Sequence, residues 1–199
     1  IHMTQQAVIM NLVHQNNGML TTAKAVSSGM SRSMLAHLVK RGQLLRPSRG
    51  VYTLPEIWED EFLNLQTRFK RGVFSHETAL FLWGLTDRTP ISYHMTFPTN
   101  YNLANPKKEG IRCAQVKPEW YALGITGVKS PAGNSVHCYS VERTLCDILR
   151  PHHTGDIQVT AEAFKRYTNS PQKNIPLLSE YAQHLGVEKK IRPYLEVLL

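Results

Sequence analysis

Acidic residues are absent from the first 55 positions of this chain, although its 199 residues include 15 aspartates and glutamates. The same segment holds six of the 23 lysines and arginines, so it contributes +6 to a total formal charge of +8. A protein needs only a modest net charge of either sign to be soluble, so solubility does not explain why all the charges in this segment are positive. Binding to a polyanionic partner explains these positive charges, because a DNA duplex presents one phosphate charge per ~1.7 Å of its axis.

Long apolar runs and paired cysteines are also lacking. No stretch approaches the ~20 apolar residues that cross a bilayer, and no basic segment leads into an apolar run as in a secretory signal. The three cysteines are an odd number at irregular spacing, which excludes a disulfide framework and suits a reducing compartment. We therefore expect a cytoplasmic protein without membrane contact, whose native sequence starts at Met3.

The acid-free segment has the pattern of three short helices. Residues 4–16 place apolar side chains four positions apart and are followed by an Asn-Gly stop signal. Thr21 can cap a second helix that Gly29 ends, and Ser31 can cap a third that runs to about Arg41. In the third helix the apolar residues share one face. The opposite face carries hydrogen-bond donors and one small residue, and two arginines flank it. The face consists of Ser33, Ala36, His37 and Lys40, and the flanking residues are Arg32 and Arg41.

A basic β-hairpin is predicted after the third helix. Two apolar runs, 44–46 and 51–54, flank the turn 47–50, which contains proline and glycine, and Arg46 and Arg49 stand at or beside its tip. Three helices followed by a basic hairpin are typical of a winged helix-turn-helix, whose third helix reads base edges while the hairpin lies on the DNA backbone. The residues predicted to contact DNA are Thr22, Lys24, Arg32, Ser33, His37, Lys40, Arg41, Arg46, Ser48 and Arg49.

The remaining residues predict a second domain. Residues 56–71 begin with acidic side chains and are predicted to form a connector helix, and Ser75 can cap a helix that ends at Gly84. Strands are predicted at 93–97, 111–116 and 136–139. Helices are predicted at 144–149, 161–167, 177–185 and 191–199. The predicted fold class is α+β, with a winged helix-turn-helix at 3–55 and a larger mixed α+β domain at 72–199.

Motifs for catalysis are not found in the sequence. It contains no glycine-rich phosphate loop, no dinucleotide fingerprint and no H-E-x-x-H pair. Ser75-His76-Glu77 is interpreted as a helix start rather than a catalytic group. The possible metal ligands have spacings that match no zinc pattern: His137, Cys138, Cys146, His152 and His153. We therefore expect no enzyme activity, no cofactor and no metal site.

Two further stretches carry a family resemblance. The first is Gly-Val-Phe-Ser-His-Glu-Thr-Ala-Leu at 72–80. The second, at 136–150, has a strand, then Ser-x-Glu-Arg-Thr-Leu-Cys-Asp from Ser140 to Asp147, then a helix. Together with the winged helix, these stretches resemble the AbiEi family, the antitoxins of type IV toxin–antitoxin systems linked to abortive phage infection. The resemblance covers residues 3–199.

The resemblance implies a bifunctional protein. In this family the N-terminal domain represses its own operon by binding inverted repeats in double-stranded promoter DNA. The C-terminal domain neutralises a cognate nucleotidyltransferase-like toxin, without a stable complex between them. The chain offers no heptad run for a coiled coil, so we expect weak self-association, mainly on DNA.

Alternatives remain open for the second stretch and for the whole chain. Arg143, Thr144 and Asp147 belong either to an antitoxicity surface or to a helix start that stabilises the fold, with Arg143 and Asp147 as an intrahelical pair worth ~0.2–0.5 kcal/mol. For the whole chain, one rival is a plain transcription regulator whose C-terminal domain senses a ligand or dimerises. A second rival is a nuclease-like enzyme tethered to DNA. The lack of a carboxylate cluster in the sequence argues against this enzyme.

Overall fold

The computed structural model describes residues 4–58 and 60–199, so the predicted start at Met3 lies outside the described residues. The chain divides into two compact units after Arg68. The boundary differs from the predicted connector, because the first unit includes the helices that follow residue 55. None of the helices in the described ranges is long and apolar enough to cross a bilayer.

Within residues 4–58 and 60–68, the first unit contains five helices and three strands. Its helices are α1 (Gln5–Gln15), α2 (Thr22–Ser27), α3 (Arg32–Lys40), α4 (Pro55–Trp58) and α5 (Glu61–Arg68). Its strands are β1 (Met19–Thr21), β2 (Leu45–Ser48) and β3 (Val51–Thr53), paired antiparallel in the order β1-β3-β2. This is the topology of a winged helix-turn-helix, with the β2–β3 hairpin as its wing.

Side chains from all three N-terminal helices and from the strands form the core of this unit. Ile9, Leu35, Leu38 and Leu44 are fully buried there. The three predicted helices are confirmed, but β1 was missed because three residues are too few to show a periodicity. The single predicted connector helix was wrong: it is two helices, and the side chain of Asp60 caps the second by accepting from the Leu63 N–H at 3.3 Å.

The second unit, Phe69–Leu199, packs helices on a mixed sheet. Its strands are β4 (Val73–Phe74), β5 (His94–Pro98), β6 (Arg112–Val116), β7 (Ile125–Lys129) and β8 (Ser135–Tyr139), in the order β6-β5-β4-β8-β7. The β4–β8 and β5–β6 pairs are parallel, and β4–β5 and β7–β8 are antiparallel. The predicted α+β class is confirmed.

Seven helices belong to this unit: α6 (His76–Leu82), α7 (Ala104–Lys108), α8 (Pro118–Ala122), α9 (Val141–Asp147), α10 (Ile157–Thr168), α11 (Ile175–Leu185) and α12 (Glu188–Leu198). The apolar faces of the last four bury Leu145, Phe164, Leu178 and Ile191 in one core. The sequence predicted α6 and these four helices but missed α7 and α8, which have five residues each. It also missed β4, which has two residues, and β7, whose side chains are mostly exposed.

Candidate functional site

The third helix of the winged domain presents an exposed polar face. Ser31 caps α3 by accepting from the Met34 N–H at 3.2 Å, while Leu35 and Leu38 point into the core. The exposed residues of this stretch include every predicted contact of the helix: Arg32, Ser33, His37, Lys40 and Arg41. The helix has nine residues and its outer face carries no carboxylate, which suits entry into a major groove.

The start of the second helix lies against the wing. Thr21 caps α2 by accepting from the Lys24 N–H at 3.1 Å, and Lys24 is exposed. The Thr22 N–H donates to the Gly50 carbonyl at 2.9 Å, so the backbone of Thr22 ties the tip of the wing to α2. Thr22 is half-buried, and its main observed role is this tether.

The wing is tighter than the sequence predicted. Strand β2 continues through Pro47 to Ser48, so the turn is Arg49-Gly50 rather than the four residues 47–50. Pro47 has no N–H for the strand ladder, and the register shifts between Leu45 and Ser48. Ser48 is half-buried, whereas Arg49 is exposed at the tip, where Gly50 adopts a φ of +79°.

Arg46 lies on the strand rather than at the tip. Its guanidinium carbon is 5.8 Å from the centre of the Tyr52 ring, within the range of a cation–π contact. Arg46 is nevertheless exposed. The wing therefore offers two separated cations, one held over a ring and one at the tip.

The predicted antitoxin motif is buried in the second unit. Ser140 caps α9 by accepting from the Arg143 N–H at 3.2 Å. Arg143 and Thr144 are 0% exposed and Asp147 is 2% exposed. Of the two alternatives for these three side chains, their burial favours a helix start that stabilises the fold over an antitoxicity surface.

The Arg143 guanidinium is bonded on several sides. Nε donates to both Asp147 carboxylate oxygens at 3.1 Å, and Nη1 donates to the carbonyls of Trp120 and Leu123. Its carbon stacks 4.3 Å from the centre of the Tyr139 ring. Arg143 and Asp147 form the expected intrahelical pair, but the expected value of ~0.2–0.5 kcal/mol applies to a helix surface. Because both partners are buried, the loss of either one is costly.

Arg143 also lines a cavity of about 240 Å³. The basic and histidine side chains on its wall are Arg112, Arg143, Arg150, His76, His94, His152 and His153. Among the described residues that line it, Asp147 is the single carboxylate. The buried Nη2 of Arg143 has no hydrogen-bond partner, and unsatisfied buried donors are rare in folded proteins. The cavity therefore suits an anion.

His76 stands at the edge of this cavity in an unusual conformation. Its φ is +53°, a left-handed value that costs a side-chain-bearing residue about 1–3 kcal/mol. Ser75 occupies the N-cap position of α6 but makes no capping bond, contrary to prediction. Instead, Ser75 Oγ accepts from Thr96 Oγ1 at 2.8 Å and lies 2.9 Å from His76 Nδ1.

Glu77 meets two histidines beside His76. Its Oε1 lies 2.6 Å from His153 Nε2, and its Oε2 lies 3.8 Å from His94 Nδ1. The His76 and His153 rings stack with centroids 4.7 Å apart. The sequence missed this cluster, because its members come from α6, β5 and the loop after α9, far apart along the chain. The metal donors considered from sequence are not gathered here apart from His153, and Cys138 and Cys146 are buried free thiols.

Burial and hydrogen bonding set the protonation of the cluster. Burial, together with the neighbouring His76, lowers the pKa of His94 to about 4. Burial also lowers the pKa of His76. For Glu77, burial raises the pKa, but the hydrogen bond and charge of His153 outweigh it and bring the pKa to about 2. Near neutral pH the cluster therefore holds a carboxylate beside two neutral imidazoles.

Comparisons with known proteins find a family match in the N-terminal module. The family model described as a transcriptional regulator, AbiEi antitoxin, matches residues 8–55. No curated protein matches the chain. A crystal structure of the Rv2827c protein from Mycobacterium tuberculosis is similar, with 14% identity, a TM-score of 0.58, and coverage of 92% of this chain and 72% of that one. That likeness shows a shared fold.

Proposed function

We propose that the chain is an antitoxin that also represses its own promoter. The match of residues 8–55 to a family model described as a transcriptional regulator, AbiEi antitoxin, supports this proposal. The DNA-binding part of the proposal rests on the observation that the winged module contains no acidic residues. It exposes Arg32, His37 and Lys40 on α3 and Arg49 at the wing tip. An autorepressor of this kind needs no enzyme activity, and the chain acts in the cytoplasm, where the promoter is.

Two copies of the module bind one operator. In the proposed complex α3 enters the major groove, where Arg32, Ser33 and His37 approach base edges. Phosphates are held mainly by Lys40, Arg41, Arg46 and Arg49. Because one winged helix reads only a short half-site, specificity requires an inverted repeat and a pair of chains.

The second unit supplies antitoxicity against a cognate nucleotidyltransferase-like toxin, without a stable complex. This half of the proposal rests on the family resemblance. Since Arg143, Thr144 and Asp147 are buried, they support the shape of the domain rather than contact the toxin.

The test separates the two activities in the full chain. Arg32→Ala with Arg49→Ala should abolish repression of a promoter reporter while cells stay protected from the co-expressed toxin. Lys129→Ala, which removes an exposed cation from β7 of the second unit, is the matched charge control and should leave repression intact. Loss of protection by a stable Arg32/Arg49 variant, or repression that survives in it, contradicts the proposal.

A regulator whose second domain senses an anion is the second candidate function. The cavity lined by three arginines and the unpartnered Nη2 of Arg143 favour it. Operator affinity measured with and without inorganic phosphate tests this candidate. A phosphate-dependent change that Arg112→Gln removes would support ligand sensing, and an unchanged affinity would exclude phosphate as the signal.

A further inference from the structure

Three metal-binding side chains converge in the second unit. One oxygen of Glu77, one nitrogen of His94 and one nitrogen of His153 all lie within 4.8 Å of one another. They come from the first turn of α6, from strand β5 and from the loop after α9, so the tertiary fold brings them together. Such a convergence differs from a run of exposed acidic residues, because each donor belongs to a separate element.

The donors have the chemistry of a transition-metal site. Two imidazoles and a carboxylate are a ligand set that holds Zn²⁺ in hydrolytic enzymes and also occurs with other divalent transition metals. Nitrogen donors disfavour Mg²⁺ and Ca²⁺, which prefer oxygen ligands. The set therefore selects for softer divalent ions.

An unsatisfied atom in the cluster independently indicates a missing partner. Glu77 Oε2 is buried and has no hydrogen-bond partner, although its carboxylate is ionised. It faces His94 Nδ1 across 3.8 Å, a gap too long for a hydrogen bond. A cation between these two atoms would satisfy both.

We propose that Glu77, His94 and His153 bind one divalent transition-metal ion of the Zn²⁺ class. His94 and His153 also line the cavity, so a further ligand of the ion can come from there. The ion would add positive charge to a wall that already carries Arg112 and Arg143. The site is separate from the DNA-binding module and does not depend on the proposed repressor function.

Metal entry requires a small rearrangement. Glu77 Oε1 and His153 Nε2 are 2.6 Å apart, whereas two ligands of one tetrahedral Zn²⁺ are about 3.3 Å apart, given metal–ligand bonds of ~2.0–2.1 Å. The hydrogen bond between them breaks, Nε2 gives its proton up to solvent, and the neutral imidazole carries its one proton on Nδ1, so that the Nε2 lone pair can bind the ion. No oxidant or reductant is involved.

Gly155 leaves the space for this adjustment. A Cβ added at Gly155 would lie 3.0 Å from both Glu77 Oε1 and His153 Nε2. Gly155→Ala would therefore crowd the two donors without removing either, and it should weaken metal binding.

Calorimetric titration of the chelator-treated full chain with ZnCl₂ tests the proposal. One ion should bind per chain, and His153→Ala should weaken binding more than the ~10–100-fold typical of losing an outer-shell partner. His184→Ala is the matched control, because it removes an exposed histidine of α11 that belongs neither to the cluster nor to the cavity wall. It should bind Zn²⁺ like the wild type.

A second variant and a spectrum make the result independent of folding defects. Glu77→Gln keeps the shape of the side chain but loses the charge, and circular dichroism checks that each variant is folded. Co²⁺ added to the wild type should give visible absorption bands that change in Glu77→Gln and stay unchanged in His184→Ala. Equal Zn²⁺ affinity in wild type and folded His153→Ala or Glu77→Gln, or no binding at all, overturns the proposal.

Discussion

Arg143 and Asp147 lie one turn apart in α9 and bind each other inside the second unit, with the guanidinium Nε 3.1 Å from each carboxylate oxygen. Both side chains are buried, since Arg143 is 0% exposed and Asp147 is 2% exposed. The same guanidinium also holds the carbonyls around the end of α8, so it joins two helices. The Ser-x-Glu-Arg-Thr-Leu-Cys-Asp stretch is thus a structural element of the fold.

Breaking this pair should destabilise the second unit. Asp147→Asn or Arg143→Met leaves a buried charge without its partner, which typically costs ~3–5 kcal/mol. Urea unfolding measures the loss. Asp87→Asn, which removes an exposed partner of Arg166, should leave the unfolding midpoint nearly unchanged. A midpoint for Asp147→Asn as high as that of the control would contradict the structural role.

Gly18 and Gly29 form a matched pair for the winged module. Both adopt left-handed backbone, with φ of +82° and +80°. A Cβ at Gly18 would overlap Ile57 Cγ1, whereas a Cβ at Gly29 meets open space. Gly29→Ala should cost about 1–2 kcal/mol from backbone strain alone. Gly18→Ala should cost a further ~1–3 kcal/mol from overpacking, measured by urea unfolding. Equal costs would show that Ile57 moves away freely.

Acid should destabilise the metal-free protein through His94. Its pKa of about 4 lies below the unfolded value of 6.5, so between these values the unfolded state binds more protons. Stability is therefore expected to fall as pH drops from 6.5 towards 4. The titratable and charged groups around His94 are His76, Glu77, Arg112 and His153.

Unfolding in urea with a chelator present, at several pH values, measures this slope. Glu77, with its pKa of about 2, adds a loss only below its ordinary value of 4.5. A folded His94→Gln variant should show a shallower slope above pH 4.5. A slope equal to that of the wild type would mean that other groups cause the acid sensitivity.

Base readout by α3 should differ from phosphate binding by Lys40. His37→Ala should cost ~1–3 kcal/mol on the native promoter fragment and relax the preference for it over a scrambled duplex. Lys40→Ala should weaken binding to both duplexes alike. Anisotropy titrations on the two duplexes measure the ratio. An unchanged preference in His37→Ala would remove this residue from base readout.

Self-association should be weak without DNA. The described helices include no long heptad face, and operator symmetry alone brings two chains together in the proposed complex. Sedimentation velocity at low micromolar concentration should show a monomer, and addition of an inverted-repeat duplex should give a two-to-one complex. A tight dimer without DNA would contradict this expectation.

The sequence predicted the parts of the fold that have a clear local pattern. The caps Thr21 and Ser31 each accept the hydrogen bond that the sequence implied. Short elements such as β1 and β4 were missed, because two or three residues carry no period. The DNA contacts of the winged module remain predictions; the structure places Arg46 on strand β2 and leaves Thr22 and Ser48 half-buried.

The cluster in the second unit could not be predicted in the same way. The order of the strands in the sheet and the path of the loop after α9 bring Glu77, His94 and His153 together. The spacing of these residues along the sequence gives no indication that they are close in space. The strength of the Arg143–Asp147 pair was underestimated for a related reason. Spacing of four residues shows that two charges can pair, but only the packing of neighbouring helices shows whether they are buried.

The salt dependence of operator binding tests the central claim most directly. The full chain is titrated onto a duplex from its own promoter at several salt concentrations, and log K is plotted against log salt. Arg49→Ala should weaken binding and flatten the slope by about one, and Arg46→Ala should do the same, while Lys129→Ala should match the wild type. Unchanged affinity and slope in both wing variants would contradict the account of a wing that holds the DNA backbone.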